Sequence, residues 1–362
     1  MSDAYEIRRY EPQDRRSFID LYESVHGERK SNAWLDWKYV ENPFAETVSI
    51  IVAEHRGSII GARPLFALPM RRGRTDVVAR QPADAMVDAA HRRRGVFTRM
   101  IESTVESCAN GDVDFLFTFP NARSGGAYRK LGWDVVGELT ERFRLHRASP
   151  IIAARSDLPA AGAIGPIVSG TIDAAMRSKR LGHVRNADVV TEVHPEVPID
   201  ELNTLYRDHI PDALHAPRTR AFLEWRFNNP DWTYRTFLGY HHGSLTAAIV
   251  TGTREMANGG QLTRCIDVLP LDGGWQRSVT LEVLLADVIQ ALDDVALFVL
   301  PDGHLSREAC GRRGFLSDRT HPIDLVADPT LLFVHPLSPQ AHQISIGDRD
   351  AWRPTFVEYD TA

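Results

Sequence analysis

The stretch Met86-Val87-Asp88-Ala89-Ala90-His91-Arg92-Arg93-Arg94-Gly95-Val96-Phe97-Thr98-Arg99-Met100 decides how this chain folds. A strand ends, a short arginine-rich loop follows, and Gly95 opens a segment in which Phe97, Met100, Ile101, Thr104, Val105 and Cys108 recur at helical spacing. Those residues form one apolar face of an amphipathic helix. A helix N-terminus presents N–H groups without intrahelical partners at the positive end of the peptide dipole, so this turn can hold a phosphate or pyrophosphate. Gly95 removes a side chain where backbone must approach a ligand, and the neighbouring guanidiniums add charge. The same residues also suit an ordinary strand-to-helix turn with solvated arginines. A general nucleic-acid patch is disfavoured, because the charge is confined to one turn.

The next informative segment lies downstream. An apolar strand ends in Phe117-Thr118-Phe119-Pro120-Asn121, and seven residues later Tyr128 stands on a short helix closed by Gly132-Trp133. Together the two segments resemble the GNAT family, the Gcn5-related N-acetyltransferases. The family's cofactor motif is a strand followed by Gln/Arg-x-x-Gly-x-Gly/Ala, here Arg92-x-x-Gly95-x-Phe97, with Phe97 in place of the small residue. Its next motif is a strand ending near Asn and a tyrosine shortly before Gly-aromatic, here Asn121, Tyr128 and Gly132-Trp133. The resemblance spans about residues 5 to 145 and, in weaker form, about 188 to 325.

What the resemblance implies is an acetyl-CoA-dependent N-acetyltransferase, with acetyl-CoA as co-substrate, no metal, and direct attack by a primary amine in a ternary complex. Its pyrophosphate would sit on the backbone of the loop and helix start, Arg92, Arg93, Arg94, Gly95, Val96, Phe97 and Thr98. Its pantetheine arm would follow the strand edge at Met86, Val87 and Asp88, with Asn121 on the cofactor side and a strand N–H polarising the acetyl carbonyl. Tyr128 matches the acid that protonates the departing thiolate, and Asp84 the position where a base often faces the substrate. Asp88 alternates onto the same strand face as Asp84 and Met86, and water-relayed deprotonation stays open.

The chain also repeats itself. Trp34-Leu35-Asp36-Trp37-Lys38-Tyr39 with Asn42-Pro43 is echoed by Phe222-Leu223-Glu224-Trp225-Arg226-Phe227 with Asn229-Pro230, an offset of 188. Met86-Val87-Asp88 is echoed by Cys265-Ile266-Asp267, and Phe117-Thr118-Phe119-Pro120 with Leu131-Gly132-Trp133 by Phe298-Val299-Leu300-Pro301 with Arg313-Gly314-Phe315, at offsets of 179 to 182. Three echoes in the same order predict whole-domain duplication. The expected fold is mixed-sheet α/β (α+β) with two tandem GNAT-like acyl-CoA N-acyltransferase domains. The expected boundaries are a catalytic domain over 1–147, a linker over 148–187 with a helix at Ile167 to Lys179, a degenerate domain over 188–330, and an extension over 331–362 packed on the second domain. The second copy has Leu271-Asp272-Gly273-Gly274 where the first has its basic loop, and Ala309 or Cys310 where the first has Tyr128. It is expected not to catalyse.

Composition narrows the partners. The chain has 362 residues, 43% hydrophobic and 25% charged, with a net charge of -6, which suits folded globular domains and not a polyanion binder. Only four of its 42 basic residues are lysine. Cys108, Cys265 and Cys310 show no zinc-site spacing. No apolar leader or span of about 18 residues occurs. A cytoplasmic monomer or homodimer is expected, with a small-molecule or peptide amine as acceptor and neither nucleic acid nor membrane as partner. His91 reads as a surface residue, Trp34 and Trp37 as packing, and the polar loop Val25 to Ser31 as the substrate loop. The alternatives are an acyl- or aminoacyl-transferase on the same tandem fold, and a non-catalytic CoA sensor or scaffold.

Overall fold

The computed structural model describes residues 5–120, 124–146, 186–256, 260–292, 295–320, 323 and 330–361. Asn121, nearly all of the expected linker and its helix at 167–179 lie outside them.

Along the first half run β1 (Glu6–Arg9), α1 (Arg15–His26), α2 (Asn32–Leu35), β2 (Ile50–His55), β3 (Ser58–Arg72), β4 (Thr75–Pro82), β5 (Met86–Val87), α3 (Val96–Ala109), β6 (Phe115–Thr118), α4 (Gly125–Lys130), β7 (Asp134–Leu139) and β8 (Glu141–Leu145). The second half follows with β9 (Val189–His194), α5 (Ile199–Asp208), β10 (Leu214–His215), α6 (Arg220–Arg226), β11 (Thr233–His241), β12 (Ser244–Glu255), β13 (Gln261–Leu269), α7 (Trp275–Ala291), β14 (Leu297–Pro301), α8 (Arg307–Arg312) and β15 (Leu316–Ser317), and ends in β16 (Thr330–Pro336) and α9 (Pro339–Gln343).

Local sequence explains the elements that matter most. Arg56 and Gly57 both take positive φ, 52° and 83°, the twist that a tight two-residue hairpin between β2 and β3 requires. On α3, Met100, Ile101, Thr104 and Cys108 of the expected stripe are buried together with Val96, while Phe97 and Val105 are half-buried beside them. Strands β4 and β6 run parallel at Ala79↔Phe115 and Arg80↔Leu116. Beyond that point they part, β5 pairing back onto β3 while β6 stays paired along its other edge, over its whole length, with β16. This fork opens a cavity at the strand ends.

The two sheets are ordered β1-β2-β3-β4-β6-β16-β7 and β15-β8-β14-β13-β12-β11-β9. In the first, β16 lies between β6 and β7; in the second, β8 lies between β14 and β15. The halves have therefore exchanged equivalent strands, which corrects two of the expected boundaries. Residues 141–145 belong to the second sheet, and the extension sends β16 into the first sheet instead of keeping to the second domain. Its later segment does reach the second half, where Arg226 Nε and Nη2 donate to the carbonyls of Val357 and Tyr359 at 2.9 Å.

The repeat meets itself at the centre. Trp37 Nε1 donates to the Trp225 carbonyl at 2.8 Å and Trp225 Nε1 to the Trp37 carbonyl at 3.0 Å, with the rings stacked 5.7 Å apart. Such reciprocity is the mark of a two-fold interface between equivalent surfaces. Trp34 is buried against Tyr22 and Tyr39, so both tryptophans pack as expected.

Candidate active site

A cavity of about 700 Å³ occupies the fork, walled by Tyr22, Val25, His26, Asp84, Val87, Arg92, Arg93, Gly95, Val96, Phe97, Thr98 and Tyr128, together with Asp360 and Thr361. Another cavity, of about 540 Å³, lies toward the far end of α3 beside Arg80 and Asp112 and contains none of the residues singled out by the motifs.

Gly95 stands just before α3 at φ 76°, and its first intrahelical bond is Arg99 N to Gly95 O. The N–H groups of Val96, Phe97 and Thr98 are thus the ones a helix start leaves unpaired. A Cβ at Gly95 would meet nothing within 4 Å, so within the protein the glycine is required by its left-handed backbone and not by crowding. The three arginines diverge. Arg93, itself at φ 62°, lines the cavity; Arg92 lines it while donating from Nε to the Val87 carbonyl at 3.0 Å; Arg94 donates to the Tyr5 hydroxyl and is not part of the wall.

The strand edge is sorted by its pairing. Asp88 N donates to Ile60 O, which makes 88/60 a hydrogen-bonded pair and 87/61 the alternate kind. The Val87 N–H therefore points away from β3 and into the fork. Met86 is buried in the core, and Asp88 Oδ1 accepts from the N–H of Ala90, so neither side chain lines the cavity.

Tyr128 is 3% exposed. Its ring is held edge-on by Trp133 at 4.8 Å and Phe97 at 6.2 Å, so the bulky residue at the motif's third position is built into the wall. Gly132 at φ 77° turns the chain so that Trp133 N bonds to Tyr128 O. The second half repeats this turn with Gly314 at φ 81° and Phe315 N on Cys310 O, which fixes Cys310 as the counterpart of Tyr128. Burial pushes the Cys310 thiol up to about 11, leaving it an inert core residue. Behind Tyr128 lies Arg63, fully buried, its guanidinium 5.2 Å from the Tyr128 ring centre and 5.6 Å from that of Phe97, and none of its three nitrogens has a hydrogen-bond partner.

Asp84 does not share a strand with Val87 as the sequence suggests. It stands in the break between β4 and β5 at φ 43°, where alternation no longer applies. Its Oδ2 accepts from Lys38 Nζ at 2.6 Å and from the Tyr39 hydroxyl, so that oxygen is already engaged. Lys38, 2% exposed, also faces Asp360 at 3.7 Å. Burial raises the Asp360 carboxyl above its ordinary value, Lys38 pulls it down, and Asp84 adds to the rise. The motifs gave no signal for Asp360. In the expected substrate loop, Val25 and His26 do line the cavity, whereas Lys30 pairs with Asp231 of the second half at 2.7 Å.

The place equivalent to the basic loop is filled in the second half. Gly274 precedes α7 at φ −83°, and Arg277 turns inward to donate to the carbonyls of Pro270, Leu271 and His304.

Comparison with known proteins agrees with this geometry. The model of the acetyltransferase (GNAT) domain matches residues 6–136. Among solved structures, a probable N-acyltransferase from Enterococcus faecalis is similar over 92% of this chain and 72% of its own, at 8% identity and a TM-score of 0.63. A GCN5-related N-acetyltransferase from Anabaena variabilis is similar over 92% and 73%, at 11% identity and a TM-score of 0.60. Eis1 from Mycobacterium abscessus is similar over 93% and 75%, at 12% identity and a TM-score of 0.51. No curated protein sequence matches. No helix among the described residues is long and apolar enough to cross a membrane. Residues 6–136 are thus a GNAT acetyltransferase domain, and the chain as a whole has the fold of two tandem GNAT-like domains.

Proposed function

We propose that this protein is an acetyl-CoA-dependent N-acetyltransferase whose chemistry is confined to the first domain. The observation that carries the reading is the convergence, on one cavity, of the unpaired start of α3, the outward Val87 N–H and the ring of Tyr128. The residues fit the co-substrate: the N–H groups of Val96 to Thr98 with Arg93 suit a pyrophosphate, and the fork suits an extended pantetheine arm. Acetyl-CoA would supply the acyl group as a thioester. Val87 N–H polarises the carbonyl, and the walls orient an amine for attack on it. Asp360 takes the proton that the amine nitrogen sheds as the C–N bond forms, and Tyr128 gives its hydroxyl proton to the sulfur as the C–S bond breaks. Asp84, held by Lys38 and Tyr39, positions the carboxylate cluster instead of serving as the base.

Calorimetric titration with acetyl-CoA and free-thiol release across an amine panel test this. Binding in the micromolar range, weakened by Arg93→Glu, is expected, and Tyr128→Phe should lower kcat by about 10²-fold or more while binding persists. Failure to bind any CoA thioester refutes the reading. Binding without turnover on any amine favours a sensor, and an unchanged rate in Tyr128→Phe removes it from the mechanism.

A further inference from the structure

At the edge of the second sheet and outside the cavity's lining, Asp188, His241 and His242 offer one ligand atom each within 4.8 Å of one another, the one such group of three among the described residues. Asp188 leads into β9, His241 ends β11, and His242 begins the turn to β12. His242 N donates to the Asp188 carbonyl at 2.9 Å, the two imidazole rings lie 4.4 Å apart, and His242 Nδ1 is 3.7 Å from Asp188 Oδ1. A second observation is independent of this spacing. His241 is only 4% exposed, yet both of its ring nitrogens lack a hydrogen-bond partner. A neutral imidazole carries a lone pair on one nitrogen, and burying it unpaired is costly, whereas metal coordination satisfies it.

We infer that Asp188, His241 and His242 form a binding site for a borderline divalent transition cation, Zn²⁺ or a close relative. Two imidazoles and one carboxylate are the donor set of such ions and not of Mg²⁺ or Ca²⁺, which prefer all-oxygen shells. Three protein ligands leave a fourth position for water. His242 and Asp188 are solvent-exposed, so an ion has a path in. The bound ion ties the outermost strand β9 to the β11–β12 hairpin, a stabilising role that makes no use of the acyl-transfer site and does not rest on the proposed activity.

The test uses the full chain without an affinity tag. Zinc titration by calorimetry should show one saturable site per chain, and zinc should raise the thermal midpoint. Because His242 and Asp188 are exposed, His242→Ala and Asp188→Asn should leave the metal-free midpoint nearly unchanged while each weakens zinc by at least about tenfold. Co²⁺ provides a second readout: its binding should quench Trp275, whose ring lies 5.7 Å from that of His241, and Trp275→Phe should remove that quenching without loss of zinc affinity. Absence of saturable zinc binding, or equal zinc affinity in His242→Ala and Asp188→Asn, overturns the inference.

Discussion

Replacing Asp360 by Asn tests the least expected part of the site. Asp360 must be ionised to accept a proton, and burial sets its carboxyl above the ordinary range, so the rate should fall as pH drops through that raised value. Loss of a general base is worth about 10²–10⁴-fold, or about 2.7–5.4 kcal/mol of transition-state stabilisation. Stability should move the other way. A carboxyl raised on folding costs stability at pH above its raised value, a cost relieved as pH falls through it, so the neutral amide should make the protein more stable at pH 7. Lys38, 3.7 Å from Asp360, attracts it by about 4 kcal/mol at an effective dielectric of 20. Lys38→Met should therefore move the acid limb up by about one pH unit or more. The assay is thiol release from pH 5 to 9 with two amines of different basicity, so that a limb owed to the amine shifts between them and one owed to Asp360 does not. A full-rate Asp360→Asn enzyme with the acid limb in place would refute the assignment.

Other perturbations follow from the same contacts. Arg63→Met replaces a buried, unpaired guanidinium by an apolar chain of similar length; urea unfolding should show a gain of about 1 kcal/mol or more, while kcat falls because no cation remains behind the Tyr128 phenolate. A variant that loses stability at full activity would contradict this. Arg218 is completely buried, with Nη2 2.9 Å from Asp267 and Nη1 against Glu358. Arg218→Leu strands two carboxylates and should cost about 3–5 kcal/mol at pH 7, with part regained in acid as they protonate. Expressed alone, residues 1–147 lack β16 and carry β8 without its partners, so amide exchange should show β7 unprotected and β6 protected only on its β4 side; native-like protection of β7 would mean the exchange is dispensable.

Periodicity is enough for the elements around the two motifs, because amphipathic faces and turn residues act locally. Four of the six residues of the expected α3 stripe are buried, and Arg56-Gly57 forms a tight turn from its own backbone preference. The partner of a strand is another matter. β8 mixes charged and apolar residues and β16 is a short apolar run, and nothing in either says that each completes the other half's sheet, since strand pairing is satisfied equally by any matching edge. Alternation along the sequence gives Asp84 a strand face that the break before β5 abolishes. Asp360 is brought to the cavity by tertiary structure alone. Arg63 did leave a trace: an arginine inside Ile59-Ile60-Gly61-Ala62-Arg63-Pro64-Leu65-Phe66 is a charge in an otherwise apolar strand, and such a residue calls for a partner or a use.

Duplication usually leaves the spare copy free to diverge, yet here each half completes the other. The second half has Arg277 across the carbonyls where its own cofactor loop would open, and Cys310 where a phenol would stand. What it keeps are contacts directed at its neighbour: Trp225 against Trp37, Asp231 on Lys30, and Arg218 with Arg226 gripping the segment that ends in Asp360. Arg226 holds the carbonyls on both sides of Glu358, and Arg218 holds the Glu358 side chain itself, so the strap has little freedom before it enters the first domain's cavity. A carboxylate at the end of an unsupported tail would sample many positions, and a misplacement of about 1 Å is enough to cost about 10²-fold in rate. On the proposed function, the second half thus gives up a site of its own and supplies rigidity to the one in the first domain.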